Sequence, residues 1–360
     1  MRLGLIARAD SRGLGIQTFQ FSRHMDCAKI MVVDCPSANP LPLRRDWYPD
    51  ATWIKGLPTV QDYAHFLDGL DVVYTAECDY SRDGTLYRLA DAMGVKTALH
   101  LNYEFFEHGR NPNLPRPSLF AAPSMWHYDE IPDPKTFLAV PIDLDQFPAR
   151  PRMSEAARFL HIIGRPAIND RNGTADLLDA LAFVRSPITL TITCQDAHYV
   201  SGLLASRRIP RHITLEVRTG DAEHYADLYA NQDVLILPRR FGGLCLPANE
   251  GLGAGMPVVM PDISPNNTWL PADWLVPAER RGEFMAKTRV ALHSTATQAL
   301  AEKIDQFVED RAFFAASQDT AQRIAKELSW ANQRPVYMKT FSDLCKGPES
   351  RTPSSATSSV

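Results

Sequence analysis

The residues best suited to bind a ligand surround a Gly-rich loop at 241–246. The apolar run 234–237 is short enough to be a buried strand. Pro247 fits the first turn of a short helix that ends before Gly255. A strand, a Gly-rich loop and a helix N-terminus together offer backbone N–H groups to a phosphate. The stretch therefore predicts a phosphate-binding loop, with Glu250 in an early turn of its helix, where a carboxylate suits the helix dipole.

A second Gly-containing turn, at 10–18, follows the apolar strand predicted at 2–8, and a helix to about residue 25 comes after it. In α/β proteins such a turn lies beyond the carboxyl ends of the strands, where ligands bind. Gly13 and Gly15 do not complete a G-x-G-x-x-G dinucleotide fingerprint, because Thr18 holds the third glycine position. The alternative interpretation is a plain tight turn.

Polar side chains follow three of the predicted strands. Asp10, Glu77 and Asn102 would emerge at one edge of a parallel sheet and face one cleft. A carboxylate there could accept the proton of an acceptor hydroxyl. His100 lies two residues before Asn102 on the same strand face. We take Asp10, Glu77 and Asn102 as the candidate catalytic residues, and the sequence does not choose among them.

Predicted strands alternate with predicted helices along the chain, which indicates parallel, doubly wound sheets. The first half has strands at 30–33, 72–76, 97–101 and 119–122, with helices at about 59–69 and 83–93. The second half has strands at 159–163, 188–193, 213–217, 234–237 and 257–261. The Pro-rich stretch 35–57 is predicted to be a long irregular loop.

The composition is that of a globular protein with two domains, since 360 residues with 45% hydrophobic and 22% charged content can form two cores. The six cysteines show no CxxC pair and no zinc-ligand spacing with histidine, which indicates reduced thiols. No stretch reaches transmembrane length and the opening strand is too short for a signal peptide, so we expect a cytoplasmic location. The net charge of −4 gives no global signal for nucleic acid.

From residue 238 onward the chain resembles the nucleotide-sugar signature of retaining GT-B glycosyltransferases, the group 1 or family 4-like enzymes. The residues that match are Pro238, Arg240, Phe241, Gly243, Leu246, Pro247, Glu250, Gly255, Pro257, Val258 and Val259. Glu250 corresponds to the second glutamate of that signature, which in the family holds the donor ribose. Gly242 stands at the position of the first glutamate. The resemblance implies a GT-B fold, in which two Rossmann-like, doubly wound domains face a central cleft.

The resemblance continues at 164–174. Arg165 matches the family's arginine, and Arg171 falls one position after its lysine; the pair would grip the donor pyrophosphate, as guanidinium groups do well. The residues implied to bind the donor are Gly13, Gly15, Arg165, Arg171, Arg240, Gly243, Leu244 and Glu250. The resemblance implies that this fold needs no metal for the task and no cofactor beyond the nucleotide sugar, and we recognise no Asp-x-Asp motif that would hold a metal.

The resemblance also implies a domain organisation. The stretch 140–148 is similar to the family's passage out of its first domain, and 328–341 to its last helices. We therefore predict an acceptor-side domain at 1–148, a nucleotide-sugar domain at 156–328 and a terminal helix at 329–345 that crosses back to the first domain. The Ser-, Thr- and Pro-rich tail at 346–360 is predicted to be disordered.

The implied activity is transfer of a sugar from a nucleotide-diphosphate sugar to an acceptor hydroxyl. The stretches 12–18, 170–174 and 264–267 look like those of small transferases carried by bacteriophages. The leading acceptor is therefore a hydroxymethylated pyrimidine in phage DNA, and the location would then be the host cytoplasm. The alternatives are a transferase for a cell-surface glycan or lipid-linked acceptor, a non-catalytic GT-B protein that binds a nucleotide sugar or glycan, and a sugar-nucleotide epimerase.

Overall fold

The first half of the chain forms a seven-stranded parallel sheet. The structure is a computed structural model that describes residues 1–35, 41–81, 83–148, 150–222 and 224–346. The strands of this sheet are β1 (Leu3–Ala7), β2 (Cys27–Asp34), β3 (Thr52–Lys55), β4 (Val72–Ala76), β5 (Lys96–His100), β6 (Leu119–Ala122) and β7 (Lys135–Phe137). Its helices are α1 (Gly13–His24), α2 (Val60–Leu67) and α3 (Thr85–Ala92). The strand order is β3-β2-β1-β4-β5-β6-β7, and we call this unit the first domain.

The second half forms a six-stranded parallel sheet, which we call the core of the second domain. Its strands are β8 (Arg158–Gly164), β9 (Ile188–Cys194), β10 (Ile213–Thr219), β11 (Val234–Ile236), β12 (Val258–Pro261) and β13 (Leu275–Val276), in the order β10-β9-β8-β11-β12-β13. The helices among them are α4 (Thr174–Ala180), α5 (Ala197–Leu204) and α6 (Leu246–Gly253). The predicted fold class, two doubly wound α/β domains, is confirmed.

A β-hairpin and three helices complete the part of the chain that the structure describes. The hairpin pairs β14 (Ala278–Met285) with β15 (Arg289–Thr295) in antiparallel fashion. The helices α7 (Thr297–Glu309), α8 (Arg311–Glu327) and α9 (Trp330–Lys346) follow. Helix α9 packs against the first domain, where the hydroxyl of Tyr337 donates a hydrogen bond to the carbonyl of Ala139 at 2.9 Å. The predicted tail lies outside the described residues from 347 onward.

Burial on both faces explains the apolar strands of the first sheet. All five residues of β1 are buried, and successive side chains point to opposite faces. Leu5 packs in the cluster that holds α1 and α9, whereas Ile6 packs in the cluster that holds α2 and α3. Because both faces are covered, the polar side chains that follow these strands gather at the carboxyl edge of the sheet.

The prediction of an irregular loop across 35–57 is wrong in part, because β3 lies within it and pairs with β2. Residues 36–40 lie outside the described part of the chain. β3 is an edge strand whose residues are exposed or half-buried, so its sequence lacks the apolar run that marks β1. The mostly exposed strand β14 escaped prediction for the same reason.

Candidate functional site

A cavity of 380 Å³ lies where the carboxyl ends of the two sheets face each other. We call it the central cavity, and both domains line it. Of the predicted site residues, Asp10, Gly13, Glu77, Asn102, Arg165, Arg171 and Leu244 line it. The others, Gly15, Arg240, Gly243 and Glu250, do not.

Asp10 holds the turn between β1 and α1. Its Oδ2 accepts a hydrogen bond from Arg8 Nη2 at 3.0 Å, and its Oδ1 accepts one from the backbone N–H of Arg12 at 3.1 Å. A Cβ at Gly15 would lie 2.0 Å from the carbonyl oxygen of Asp10, so glycine is required for α1 to begin this close to the strand. Asp10 and Gly15 therefore shape the turn, and Gly13, the first residue of α1, lines the cavity.

Glu77 follows β4 and is held by Asn102, which follows β5. Its φ of 62° is a backbone conformation that residues other than glycine rarely adopt and that clusters at functional sites. Asn102 Nδ2 donates a hydrogen bond to Glu77 Oε1 at 3.0 Å. Burial raises the pKa of Glu77, and this hydrogen bond opposes the rise. The Oδ1 of Asn102 is buried without a hydrogen-bond partner among the described residues. The pair thus combines a carboxylate of raised pKa with a buried acceptor that lacks a donor.

His100 lies in the core of the first domain and does not line the central cavity. Its Nε2 lies 2.7 Å from the carbonyl oxygen of Leu138, so Nε2 carries the proton and donates it. Its Nδ1 then accepts hydrogen bonds from Tyr74 Oη at 2.8 Å and Gln17 Nε2 at 3.3 Å. Burial lowers the pKa of His100 to about 4. The imidazole is therefore a neutral support for Gln17, which lines the cavity.

Arg171 and Arg239 meet across Gly242 in the wall of the central cavity. A Cβ at Gly242, whose φ is 119°, would lie 2.8 Å from Arg171 Nη2 and 2.7 Å from Arg239 Nη2. A glutamate at this position, as in the family signature, would require both guanidinium groups to move. Arg171 Nη2 donates a hydrogen bond to Glu104 Oε1 at 2.7 Å, and Arg239 Nη1 donates one to the carbonyl of Leu244 at 3.0 Å. Two guanidinium groups therefore lie beside Gly242, the position where the family signature has its first glutamate.

The central cavity carries an excess of positive charge. It is lined by five arginines and two carboxylates, namely Arg8, Arg12, Arg165, Arg171 and Arg239 with Asp10 and Glu77. Burial, and after it the charge of Arg239, lowers the pKa of Arg171, as is usual for cations held together away from water. The first residues of α1 and α6 line the same cavity, and no described side chain caps either helix. Arginines and helix N-termini in one place suit a diphosphate.

Arg240 and Glu250 engage other parts of the second domain. Arg240 Nη2 donates a hydrogen bond to Asp176 Oδ1, in α4, at 2.6 Å. Glu250 is buried in α6, where its Oε2 accepts a hydrogen bond from the hydroxyl of Tyr229. Burial raises the pKa of Glu250 to about 7. Arg239 lines the central cavity, whereas the neighbouring Arg240, which the family pattern indicated, does not.

Gly243 lies at the contact between the Gly-rich loop and the first domain. A Cβ there would lie 2.9 Å from the ring of Trp126 and 3.2 Å from Ser124 Oγ. Glycine therefore lets the loop pack against the first domain and places the next residue, Leu244, in the wall of the central cavity.

A second cavity, of 410 Å³, adjoins the central cavity, and we call it the side cavity. Arg8 and Glu77 line both cavities. The wall of the side cavity is largely aromatic and aliphatic, and includes Tyr80, Tyr87, Leu99, Leu101, Phe105 and Phe106. The carboxylates of Asp79 and Glu107 also line it, and the buried hydroxyl of Tyr80 has no hydrogen-bond partner among the described residues. Aromatic walls with a few placed polar groups are typical of small-molecule sites.

Comparison with solved structures identifies the fold of this chain. No family model matches the sequence, and no curated protein sequence matches it. HepE from Anabaena, in complex with UDP and glucose, aligns with a TM-score of 0.70 and 14% identity over 95% of this chain and 100% of its own. A glycosyltransferase from Rickettsia africae aligns with a TM-score of 0.68 and 11% identity over 96% of this chain and 100% of its own. Sucrose-phosphate synthase from Thermosynechococcus elongatus aligns with a TM-score of 0.64 and 14% identity over 96% of this chain and 99% of its own. The chain has the GT-B fold.

In this GT-B chain the residues that sequence reasoning missed are mainly cations. Arg8 and Arg12 flank Asp10, at the start of the Gly-containing turn 10–18. Because that turn was predicted to face a ligand, its position could have indicated both arginines. Arg239 gave no such signal, because the family pattern favoured Arg240. Among the described residues, no cluster of three histidine, cysteine or acidic side chains could hold a metal ion. No helix in the described ranges is long and apolar enough to cross a membrane.

Proposed function

We propose that the protein is a glycosyltransferase that uses a nucleotide-diphosphate sugar, with the central cavity as its donor site. The observation that carries this proposal is the convergence of five arginines and two helix N-termini on a cavity between the two domains. When the glycosidic bond breaks, negative charge develops on the leaving diphosphate, and fixed cations stabilise it. HepE, which has the same fold, is in complex with UDP-glucose. We therefore propose a UDP-hexose as the donor.

Each part of the donor has a proposed set of contacts. Arg165, Arg171 and Arg239 would bind the diphosphate, because arginine forms charge-assisted, bidentate hydrogen bonds with phosphate oxygens. The N-terminus of α1, at Gly13, would add its helix dipole. We assign the ribose to Glu250, which lies in α6 three residues beyond Pro247 of the cavity wall; its Oε2 is engaged by Tyr229, so the contact would be made by Oε1.

The acceptor is proposed to enter the side cavity and to react at Glu77. This carboxylate lines both cavities, which puts it between a donor sugar in one and an acceptor hydroxyl in the other. A base works best when its pKa approaches the working pH, and burial moves the pKa of Glu77 in that direction. The aromatic wall and the carboxylates of Asp79 and Glu107 favour an uncharged, hydroxylated ring, such as the terminal sugar of a glycan.

A hydroxymethylated pyrimidine in DNA is the second candidate acceptor, and one observation favours it. The guanidinium of Arg44 lies 5.0 Å from the ring of Trp47, and that of Arg45 lies 4.4 Å from the ring of Trp53. Basic and aromatic side chains side by side suit a nucleic-acid backbone and an extruded base. Arg44 and Trp47 line a separate groove on the other side of α1, however, and the side cavity has three carboxylates against two cations. We therefore place the glycan first.

The test is release of UDP from UDP-glucose by the full chain. It is measured alone, with a panel of para-nitrophenyl glycosides, and with a DNA duplex containing hydroxymethylcytosine. Release stimulated by a glycoside, with glucose recovered on it, would support the leading acceptor. Release stimulated by the duplex, and reduced in Arg45→Ala, would support DNA. UDP-glucose that binds without any release under any condition would contradict the enzyme and favour the non-catalytic binder.

A further inference from the structure

A carboxylate of the first domain is buried against a candidate diphosphate-binding arginine of the second. Glu104 lies in the short turn after β5 and is 4% exposed. Its Oε1 accepts the hydrogen bond from Arg171, and its Oε2 is buried without a partner among the described residues. An anion held this close must affect what else the Arg171 guanidinium binds.

The hairpin of β14 and β15 fixes Glu104 in this place. At its tip, the backbone N–H of Lys287 donates a hydrogen bond to the carbonyl of Glu104 at 3.0 Å. Thr288 Oγ1 donates one to the carbonyl of the preceding residue, Tyr103, at 3.1 Å, in a buried setting. The hairpin belongs to the second domain, as Arg171 does. Two hydrogen bonds therefore hold the backbone at Tyr103 and Glu104 against the hairpin, and this places the Glu104 carboxylate beside Arg171.

The Arg171 guanidinium is also confined on its other sides. Its Cζ lies 5.4 Å from the ring centre of Phe241, which meets Phe284 of the hairpin at 4.8 Å. Across Gly242 stands the second guanidinium, that of Arg239. Glu104 thus balances one of two like charges that burial has brought together. Without a nearby anion, this pair would attract a diphosphate more strongly.

We propose that Glu104 is a positioning residue of the donor site, a counter-anion from the acceptor-side domain that orients Arg171 and weakens the binding of the diphosphate product. This inference rests on the proposed function of the central cavity. A diphosphate that enters the cavity shares Arg171 with a buried carboxylate whose backbone is held against the hairpin. The arginine therefore stabilises the leaving group while the fixed negative charge favours its release.

The test compares the affinity of wild type and Glu104→Gln for UDP by titration calorimetry, with uridine as the uncharged reference. The amide oxygen of the glutamine can still accept the Arg171 hydrogen bond, so the variant removes charge and keeps shape. We expect the Kd for UDP to fall about tenfold at low salt and the Kd for uridine to stay within twofold. A Kd for UDP that is equal to or higher than that of wild type would overturn the inference.

Thr288→Val is the matched control, because it removes a hydrogen bond between the domains beside Glu104 and changes no charge. Its Kd for UDP should stay within twofold of wild type; tightening equal to that of Glu104→Gln would show that loosened domains, not charge, are the cause. Should Glu104→Gln not fold, Glu104→Asp carries the test, since it withdraws the carboxylate from Arg171 and should tighten UDP about threefold. If wild type binds neither UDP nor another nucleoside diphosphate, the proposed function fails and the inference fails with it.

Discussion

The two cavities that meet at Glu77 differ in charge and in the source of their walls. The central cavity draws on both domains and is dominated by arginines. The side cavity draws on residues 8–115 of the first domain, with Lys287 from the hairpin added, and is dominated by aromatic rings and carboxylates. An anion is therefore favoured in one and an uncharged ring in the other.

This difference gives each domain a separate task and explains the environment of the residues between them. Arg8 lines both cavities and pairs with Asp10, so it contributes a cation of the first domain to each of them. Glu77 is desolvated where the two cavities join, and this burial is the largest cause of its raised pKa. A base with one side toward a cationic cavity and the other toward a hydroxyl-binding cavity can serve the transfer of a sugar from the first to the second.

The largest effect is expected at the junction itself. Glu77→Gln should lower the turnover of UDP-glucose by about 10²–10⁴-fold, the range that a general base contributes. The Kd for UDP should not rise, and it should fall by less than in Glu104→Gln, because Glu77 acts on Arg171 and Arg8 through its charge and no described hydrogen bond joins it to an arginine. Single-turnover kinetics measures the rate of transfer and calorimetry measures the Kd for UDP, so the effects on catalysis and on binding are separated. A variant that keeps more than a tenth of the wild-type turnover would move the base to another residue.

The same residue predicts a pH dependence. Glu77 must be ionised to accept a proton, and burial raises its pKa above the usual carboxyl range. As the pH falls through the raised pKa, Glu77 becomes protonated and kcat/KM of wild type should fall with a slope of one. The acid limb of the pH profile should therefore lie above the ordinary glutamate pKa of about 4.3. It should be absent from the residual activity of Glu77→Gln.

The second effect separates two neighbouring arginines. Arg239→Ala should raise the Kd for UDP about 10- to 100-fold, because a charge-assisted hydrogen bond contributes about 1.5–3 kcal/mol. Arg240→Ala should leave this Kd within twofold and instead lower the free energy of unfolding by about 3 kcal/mol, since it leaves the buried carboxylate of Asp176 without its cation. Calorimetry with UDP and urea unfolding give the two readouts. If Arg240→Ala instead weakened UDP binding and Arg239→Ala lowered stability, Arg240 would be the diphosphate-binding arginine, as the family signature indicated.

The fold could be predicted because its buried strands carry their own signal. The predicted strands at 72–76 and 119–122 coincide with β4 and β6, which are buried along their whole length and are mostly apolar. Strands β4 and β5 fix where Glu77 and Asn102 emerge, and the structure brings these two residues into one hydrogen bond. Residues at strand ends can thus be placed from sequence, because the parallel arrangement puts them at one edge.

Other contacts could not be predicted, because they depend on how elements distant in the sequence pack. Whether Arg239 or Arg240 faces the cavity depends on α4, which offers Asp176 to one of them. Glu104 lies in the short turn after β5, two residues beyond Asn102. Its partner Arg171 lies 67 residues away in the other domain, so nothing local indicated the pair. The hairpin that anchors it is mostly exposed and gave no apolar pattern.

A smaller effect is expected at Glu250, which lies outside both cavities. Its pKa is about 7 in the folded protein against about 4.5 when unfolded, because burial disfavours the charge. The stability that this group contributes is therefore complete below pH 4.5 and is lost as the pH rises through 7. Glu250→Gln cannot ionise, so its melting temperature should exceed that of wild type by a few degrees at pH 8 and by less at pH 5; one pKa unit corresponds to roughly 1.4 kcal/mol.

Thermal unfolding followed by circular dichroism at both pH values gives the comparison. Asp176→Asn is a suitable contrast, because it also neutralises a buried carboxylate but removes an anion that Arg240 needs, so it should lower stability. Equal melting temperatures of Glu250→Gln and wild type at pH 8 would contradict the raised pKa.

The smallest effect, none at all, is expected from a metal chelator. A divalent cation in a transferase neutralises the leaving diphosphate, and the central cavity places five guanidinium groups where that charge would develop. Turnover of UDP-glucose in excess EDTA should therefore equal turnover with added Mg²⁺. The informative variant is Arg239→Ala, since a protein that has lost one fixed cation should gain from added Mg²⁺ where wild type does not. A fall of tenfold or more in wild-type turnover with EDTA would show that the arginines alone do not balance the diphosphate, and the contrast between a cationic and an acidic cavity would then need a metal to complete it.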